Sequence, residues 1–163
     1  MADKIGIYPG AFDPLTFGHL DIIKRSLNIV DKLIIGVADN INKKSLLSID
    51  DRKQLILSDI TTYIEKNADI SVNSISGLLT DYAKINKVTF IIRGLRAVSD
   101  FEYEFQMTGM NYQLNPNLET IFLMSSEKYS FISSNFIKEV HKLGGDVSRF
   151  VSKNTINILN TKK

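Results

Sequence analysis

Lys4–Tyr8 (KIGIY) and the turn 9–19 (PGAFDPLTFGH) decide the fold of this chain. The β-branched residues of the first stretch predict a strand, and Pro9-Gly10 is a turn signal that ends it. Over Gly18–Val30, apolar residues recur at steps of three and four, which predicts a helix. The chain therefore opens with a strand, a rigid turn and a helix.

The rest of the chain repeats this alternation. Further strands are predicted at Lys32–Asp39, Asp69–Ile75, Val88–Ile92 and Leu118–Met124. Further helices are predicted to begin at Ser48 and to span Leu79–Asn86, Ser99–Gln113, Ser133–Leu143 and Asn154–Asn160. Strands separated by helices pair in parallel through right-handed crossovers. The sequence thus predicts an α/β fold, a Rossmann-like doubly wound sheet of five parallel strands with helices on both faces.

The composition excludes several classes of protein. The 163 residues suit a single domain, 1–163, and 20 Lys and Arg against 18 Asp and Glu leave a net charge of only +2. So small an excess argues against nucleic acid as a partner. The absence of cysteine excludes disulfide scaffolds, thiolate metal sites and cysteine nucleophiles. Because there is neither an apolar run of membrane length nor a signal-peptide pattern, we expect a cytoplasmic protein without a membrane partner.

Ligands of doubly wound sheets bind at the carboxyl ends of the strands, where the strand order reverses. After the first strand, Thr16 is a good N-cap, Gly18 leaves the first helical turn open to an anion, and His19 faces the same space. An imidazole donor beside a helix N-terminus suits a phosphate that gains charge during a reaction. A capped helix with a surface histidine is an equal alternative. Neither a G-x-G-x-x-G nor a P-loop motif is present.

Cationic side chains follow the second and fourth strands. Lys43 and Lys44 lie in a loop, where lysines are usually only solvated, but at a strand end a lysine can meet a phosphate. Arg93-Gly94-Leu95-Arg96 follows directly on an apolar strand, and the arginine fork fits phosphate oxygens. A structural salt-bridge cluster with the acidic residues of 100–104 is the alternative, and both interpretations can hold together.

The fifth strand leads to a third donor-rich segment. Ser133-Ser134-Asn135 opens a helix with three polar side chains in its first turn, which together with backbone N–H groups suit one anion. No acyl-transfer triad has a suitable local context, and no pair of carboxylates stands out as an acid–base couple. The predicted site therefore positions phosphates and neutralises charge, as phosphoryl or nucleotidyl transfer requires.

Several side chains away from the strand ends are interpreted as structural. Candidates for buried positions on the later helices are Phe101, Phe105, Met110, Phe136, Ile137 and Val140. Tyr103 is interpreted as a core or subunit contact. His141 lies next to Lys142 and is predicted to be at the surface.

Three segments together resemble a known family. The turn GAFDPLTFGH at 10–19 carries the T-x-G-H signature of the nucleotidyltransferase superfamily. Two further segments narrow the match from the superfamily to one family: IIRGLRAVSDFEYEFQM at Ile91–Met107 and FLMSSEKYSFISSNFIKEV at Phe122–Val140. With them the chain resembles the bacterial phosphopantetheine adenylyltransferases over nearly its whole length.

This resemblance implies an activity and its partners. Such an enzyme transfers the adenylyl group of ATP to 4′-phosphopantetheine, giving dephospho-coenzyme A and pyrophosphate by direct in-line attack. The resemblance further implies a Mg²⁺ ion carried by the ATP phosphates, with no protein side chain as metal ligand. It also implies a homo-hexamer.

The resemblance also implies roles for individual residues. His19 would stabilise the charge that develops at the α-phosphate, Lys43 and Arg93 would hold and align the pantetheine phosphate, and these three would carry catalysis. Implied substrate contacts are Ala11, Lys43, Leu79 and Arg93. Implied ATP contacts are Ala11, Phe12, Gly18, His19, Gly94, Leu95, Arg96, Glu104, Tyr129, Ser130, Phe131, Ile132, Ser133, Ser134 and Asn135.

Two positions depart from the family pattern, and two other functions compete with this one. Ala11 stands where Thr or Ser is usual, which removes a hydroxyl from the phosphate site, and Tyr129 stands where Trp is usual. One alternative is an adenylyltransferase acting on nicotinate or nicotinamide mononucleotide, against which R-G-L-R and F-E-Y-E argue. The other is a non-catalytic nucleotide-binding module.

Overall fold

The computed structural model describes residues 3–39 and 44–162. The strands are β1 (Ile5–Gly10), β2 (Lys32–Ala38), β3 (Ile70–Ile75), β4 (Phe90–Leu95) and β5 (Glu119–Met124). The helices are α1 (Phe17–Ser26), α2 (Ile49–Tyr63), α3 (Leu79–Ile85), α4 (Val98–Leu114), α5 (Ser134–Lys142) and α6 (Lys153–Asn160). A short 3₁₀ turn at Glu127–Tyr129 precedes α5. The predicted elements are confirmed, with ends that differ by a few residues.

The five strands form one parallel sheet in the order β3-β2-β1-β4-β5. The chain moves outward from β1 to β3 on one side, and then returns to place β4 on the other side of β1. The strand order therefore reverses between β1 and β4. In a doubly wound sheet this reversal opens a crevice at the carboxyl ends of the two strands.

Helices cover both faces of the sheet, as predicted. Successive side chains of a strand point to opposite faces, so Ile7 and Tyr8 of β1 enter different cores. Tyr8 packs in a cluster with side chains of α1 and α2, while Ile7 packs with Ala83 of α3 and neighbouring strands. A third cluster, centred on Ile137 and Leu159, joins α5 to α6.

Capping side chains fix where the helices start. Thr16, Ser48, Ser133 and Ser152 each accept a backbone N–H of the first helical turn at the start of α1, α2, α5 and α6. The predicted start of α2 at Ser48 is confirmed, and Ser48 and Asp51 bond reciprocally in a capping box. These caps fix the first turn of each helix, and for α1, α2 and α5 that turn lies at the carboxyl edge of the sheet.

The outer face of α4 differs from its prediction. Phe101, Phe105 and Met110 were expected to be buried, but Phe105 is 64 % and Met110 60 % exposed. Glu104 is the buried residue of this helix. The helix flanks the β4–β5 side of the sheet, and the described chain places no further layer over its apolar side.

The assignment of sides on α5 is also partly wrong. Ile137 is buried as predicted, whereas Phe136 and Val140 are exposed. His141, predicted at the surface, is buried. It follows Ile137 by four residues, so the two side chains share the inward face of the helix. Phe136 and Val140, also four residues apart, share an adjacent face that is turned toward solvent.

In the part of the chain that is described, no helix combines the length and apolar character needed to cross a bilayer.

Asp59 of α2 provides a test of how α6 is attached. Its carboxylate is almost fully buried and accepts a long 3.4 Å hydrogen bond from Asn154 at the start of α6. Burial raises the pKa of Asp59, and bonds from Ser152 and Asn154 only partly offset this. The folded state therefore holds a proton more tightly than the unfolded state, so this contribution to stability is lost as pH rises.

We expect Asp59→Asn to raise the free energy of unfolding at pH 7.5 by on the order of 1 kcal/mol, because it removes a buried charge. The gain should be smaller at pH 4, because lowering the pH toward the raised pKa of Asp59 protonates the native carboxyl and removes the same charge. Urea unfolding at both pH values measures this difference. Asp50→Asn, an exposed position on the same helix, is the matched control. A gain at Asp59 that is independent of pH would contradict the assignment.

Candidate active site

A cleft of about 460 Å³ opens at the carboxyl ends of β1 and β4. Three walls form it: the turn between β1 and α1, the junction of β4 with α4, and the N-terminus of α5. It therefore lies at the reversal of strand order, where the sequence predicted it. Its lining includes side chains or backbone of Tyr8, Pro9, Gly10, Ala11, Thr16, Gly18, His19, Ile22, Arg93, Gly94, Arg96, Ser99, Asp100, Tyr103, Glu104, Ser125, Tyr129, Ile132, Ser133, Ser134 and Asn135.

His19 is held in one orientation by Thr16. The backbone N–H of Thr16 donates to Nδ1 of His19 at 3.0 Å, and the Thr16 hydroxyl lies 2.9 Å from the same nitrogen. In return, Thr16 Oγ1 accepts the backbone N–H of His19. Because Nδ1 acts as an acceptor, the neutral ring carries its proton on Nε2. The contacts of the capping box therefore also select the tautomer of His19.

The electrostatic surroundings keep this ring neutral. Burial, followed by the charges of Arg96 and Arg93, lowers the pKa of His19 to about 4. The ring also packs edge-on against Phe12, with the two ring centroids 5.2 Å apart. At neutral pH, His19 is therefore a hydrogen-bond donor through Nε2 and carries no charge.

Arg93 is fixed at the end of β4 by two partners. Its Nε donates to Oε2 of Glu104 at 2.8 Å, its Nη2 pairs with the other carboxylate oxygen, and its Nη1 donates to the carbonyl of Pro9. This bidentate pair ties β4 to α4 and holds the charge beside the β1 turn. The Arg93 side chain therefore loses little entropy when a ligand binds, because these contacts already order it.

Arg96 forms the second cationic wall. Its backbone N–H and its Nε donate to Asp100, at 3.1 and 3.2 Å, and its Nη1 donates to the carbonyl of Ile132 at 3.3 Å. The arginines are thus both paired with carboxylates and located in the cleft. The salt-bridge interpretation is confirmed, and contact of these arginines with phosphate stays a prediction.

The N-terminus of α5 faces the cleft with backbone donors. The hydroxyl of Ser133 accepts the N–H of Phe136 at 3.1 Å, and the hydroxyl of Ser134 donates to the carbonyl of Pro14 at 2.8 Å. Both hydroxyls are therefore engaged in structure. Among the described residues, no acceptor binds the N–H groups of Ser134 and Asn135, so these groups and the helix dipole remain for an anion.

A second, smaller cleft of about 300 Å³ lies beside the first at the carboxyl ends of β1, β2 and β3. Its lining includes Pro9, Ala38, Ile75, Gly77 and Leu79. Pro9 borders both clefts, so the two adjoin at the end of β1. Leu79, implied to lie along the substrate arm, is located here.

The structure brings most of the predicted residues together. Eleven of the fifteen implied ATP contacts line the main cleft, together with Arg93. The other four, Phe12, Leu95, Ser130 and Phe131, do not line it. Phe12 and Leu95 are buried, and the exposed ring of Phe131 packs edge-on against Phe150. Lys43 lies outside the described residues.

Sequence reasoning missed some residues that shape the site. Tyr8 lines the cleft floor, and burial raises its pKa. Asp13 accepts the N–H groups of Leu46 and Leu47 and pairs with Lys138 at 2.9 Å. Burial raises the pKa of Asp13, but these three donors outweigh it and hold that pKa below its ordinary value. Tyr8 could have been found from its position as the aromatic residue near the end of β1. The contacts of Asp13 span 33 or more residues, so no local sequence pattern reveals them.

The described residues do not fit a metal held by the protein. Across residues 3–39 and 44–162, no three His, Asp or Glu side chains are grouped as metal ligands. The two carboxylates of the cleft, Glu104 and Asp100, are each engaged by an arginine. What the cleft offers is hydrogen-bond donors and positive charge, which suit the phosphates of a ligand.

Comparison with known proteins connects this geometry to a family. A family profile described as cytidylyltransferase-like matches residues 7–140. The phosphopantetheine adenylyltransferase of Wolbachia pipientis subsp. Culex pipiens (strain wPip) is 56 % identical over 153 residues, covering 94 % of this chain and 89 % of the relative. The chain belongs to the phosphopantetheine adenylyltransferase family. The phosphopantetheine adenylyltransferase of Alkaliphilus oremlandii (strain OhILAs) is 50 % identical over 98 % of this chain and 99 % of its own.

Solved structures of similar shape extend beyond the phosphopantetheine adenylyltransferase family. The Plasmodium falciparum nicotinic acid mononucleotide adenylyltransferase complexed with NaAD has a TM-score of 0.72. It is 16 % identical over 98 % of this chain and 96 % of its own. A bifunctional NMN adenylyltransferase/ADP ribose pyrophosphatase from Francisella tularensis has a TM-score of 0.71, with 18 % identity over 98 % of this chain and 49 % of that protein. At this identity the likeness concerns the fold, and it confirms the predicted Rossmann-like architecture.

The lowered pKa of His19 predicts a pH dependence of stability. The unfolded chain binds a proton near pH 6.5, whereas the folded chain binds it near pH 4, so acidification through this window favours unfolding. We expect the free energy of unfolding to fall by roughly 1–2 kcal/mol from this group between pH 7 and pH 4.5, after allowance for its partial exposure.

His19→Gln is the matched variant, because Gln at this position can still complete the capping box. Urea unfolding of both proteins at the two pH values measures the effect. The variant should lose less stability on acidification than the native protein. Equal losses would contradict the assignment of a neutral, buried imidazole.

Proposed function

We propose that this protein transfers the adenylyl group of ATP to the phosphate of 4′-phosphopantetheine, releasing pyrophosphate and dephospho-coenzyme A. The observation that carries the proposal is a cleft lined by preset phosphate donors, His19, Arg93, Arg96 and the α5 N-terminus, in a chain of this family. The adjoining cleft at Leu79 supports a substrate with an arm beyond its phosphate.

The chemistry asks little of the protein beyond placement and charge. A phosphate oxygen of 4′-phosphopantetheine attacks the α-phosphorus of ATP, a new P–O bond forms, and the bond to the pyrophosphate oxygen breaks with its electron pair. The attacking oxygen is already anionic, so no general base is needed. Direct displacement requires only that the cleft places the two phosphates and stabilises the charge that develops between them.

His19 and the arginines share the work within this mechanism. The Nε2–H of His19 donates to an α-phosphate oxygen and stabilises the charge that gathers there. Arg93, already oriented by Glu104, binds the attacking phosphate and aligns it. Lys43 stays a predicted second ligand of that phosphate. The N-terminus of α5 and Arg96 receive the phosphates of ATP.

Magnesium and assembly belong to the same proposal. Mg²⁺ would enter on the ATP phosphates and neutralise part of their charge. The cleft carboxylates are already paired with arginines and would not compete for the ion. The exposed apolar residues of α4, such as Phe105 and Met110, support a subunit interface. A homo-hexamer and a cytoplasmic location stay predictions.

The direct test is pyrophosphate release from ATP and magnesium, with 4′-phosphopantetheine in one reaction and nicotinate mononucleotide in another. We expect release only with 4′-phosphopantetheine. His19→Ala should lower kcat by about 10²–10³-fold while the Kd for ATP changes little, since the lost bond acts on developing charge. Release with the mononucleotide, or silence with both in protein that binds ATP, would overturn the proposal in favour of one of its two rivals.

Ala11 offers a second test of the same site. It is exposed in the main cleft, so Ala11→Thr adds a hydroxyl where the phosphates are expected. We expect the KM for 4′-phosphopantetheine to fall up to about tenfold, the worth of one hydrogen bond, with kcat changed only a few-fold. Ala11→Val adds the same bulk without the hydroxyl and should show no such fall. An increase in turnover of several orders of magnitude with Thr would contradict the proposed roles of the other donors.

A further inference from the structure

Arg52 is a buried cation at the start of α2. Its side chain is buried, with the residue only 4 % exposed, and its hydrogen bonds all go to backbone carbonyls. Nη1 donates to Ala11 at 2.8 Å and to Ala38 at 3.1 Å, and Nε donates to Ser48 at 3.3 Å. One guanidinium therefore joins the β1–α1 turn, the end of β2 and the cap of α2.

The charge of Arg52 has no carboxylate partner in residues 3–39 and 44–162. Arg25, Arg93 and Arg96, in contrast, each pair with a carboxylate of their own. Buried charges are normally paired, and a cation at a helix N-terminus is additionally opposed by the helix dipole. Three carbonyl bonds engage Nε and Nη1 but do not cancel the charge of the guanidinium, so an anion nearby would be favoured.

The bond to Ala11 also orients a backbone donor. The peptide joining Ala11 to Phe12 is trans, so its N–H points away from the guanidinium that holds its carbonyl. Phe12 has a φ of +48°, an uncommon conformation for a residue other than glycine, and the surrounding contacts must maintain it. Within the described chain, no acceptor binds the N–H of Phe12.

We propose that Arg52 is a positioning residue for phosphate at the Ala11 turn. Its carbonyl bond holds the turn at Ala11, which lines the main cleft, and fixes the direction of the peptide that follows. Its charge, which has no carboxylate partner among the described residues, favours a phosphate at this turn. This role of Arg52 deepens the proposed function. It rests on the proposed function only for the identity of the bound phosphate, which belongs either to ATP or to 4′-phosphopantetheine. Arg52 itself does not line the main cleft, and its Nε and Nη1 hold backbone carbonyls, so it acts through the turn and not by touching the ligand.

The test compares ligands that differ only in phosphate. Calorimetric titration gives the Kd of ATP against adenosine, and of 4′-phosphopantetheine against pantetheine. We expect Arg52→Met to weaken at least one phosphate-bearing ligand about tenfold, the worth of a bond to a charged group, and to change its phosphate-free counterpart less than twofold. The matched control is Lys53→Met, which removes the same charge one residue further along α2 and should bind all ligands like the native protein.

Arg52→Lys keeps the proposal falsifiable if the Met variant does not fold. A lysine retains the charge but not the planar fork that spans Ala11 and Ala38, so we expect about a threefold loss for the same phosphate-bearing ligand and a lower kcat. Urea unfolding monitors stability separately. Equal losses for ATP and adenosine, or native affinities in both Arg52 variants, would overturn the proposal.

The two proposals fail in different ways. If the native protein binds ATP but releases no pyrophosphate with 4′-phosphopantetheine, the proposed function fails. The ratio of ATP to adenosine affinity then still decides the role of Arg52, because it requires no turnover. If turnover is as proposed and Arg52→Met leaves this ratio and the corresponding 4′-phosphopantetheine ratio unchanged, only the role of Arg52 is overturned.

Discussion

The reversal of strand order between β1 and β4 is the constraint on which the rest of the site depends. Every connection in the sheet is a parallel crossover, so all strands deliver their carboxyl ends to one edge. At the reversal, neighbouring connections leave toward opposite sides and no element fills the gap. Segments far apart in sequence, from Ala11 to Asn135, therefore share one cleft without any one of them being long.

Backbone contacts, more than side-chain packing, hold the donors of this cleft in place. Thr16 sets the tautomer of His19, the Pro9 carbonyl receives Arg93, and the Ile132 carbonyl receives Arg96. The bonds to Pro9 and Ile132 join the arginines to the other two walls of the cleft, whereas the Thr16 bond lies within the wall that carries His19. Such an arrangement exists before a ligand binds, so less ordering remains to oppose binding and less reorganisation accompanies the reaction.

The sequence could predict the elements and the strand ends, because hydrophobic periodicity, caps and turn residues are local. It could not predict which side of α4 is covered, because an apolar stripe looks alike whether it meets its own chain or another surface. Arg52 was overlooked for a related reason. Its partners Ala11 and Ala38 lie 41 and 14 residues away, and only the fold brings their carbonyls together. Lys43 was predicted as a site residue because it follows β2, but residue 43 lies outside the described residues.

Helix α4 has two faces with different partners. One face carries Glu104, which clasps Arg93 in the cleft, and the other exposes Phe105 and Met110. Whatever covers the exposed face also restrains the helix to which the clasp belongs. If a surface contact shifts α4, and Glu104 with it, the orientation of Arg93 changes, and linkage then requires that ligand binding alter that contact by the same factor. Helix α4 therefore connects the cleft with the outer surface of the molecule.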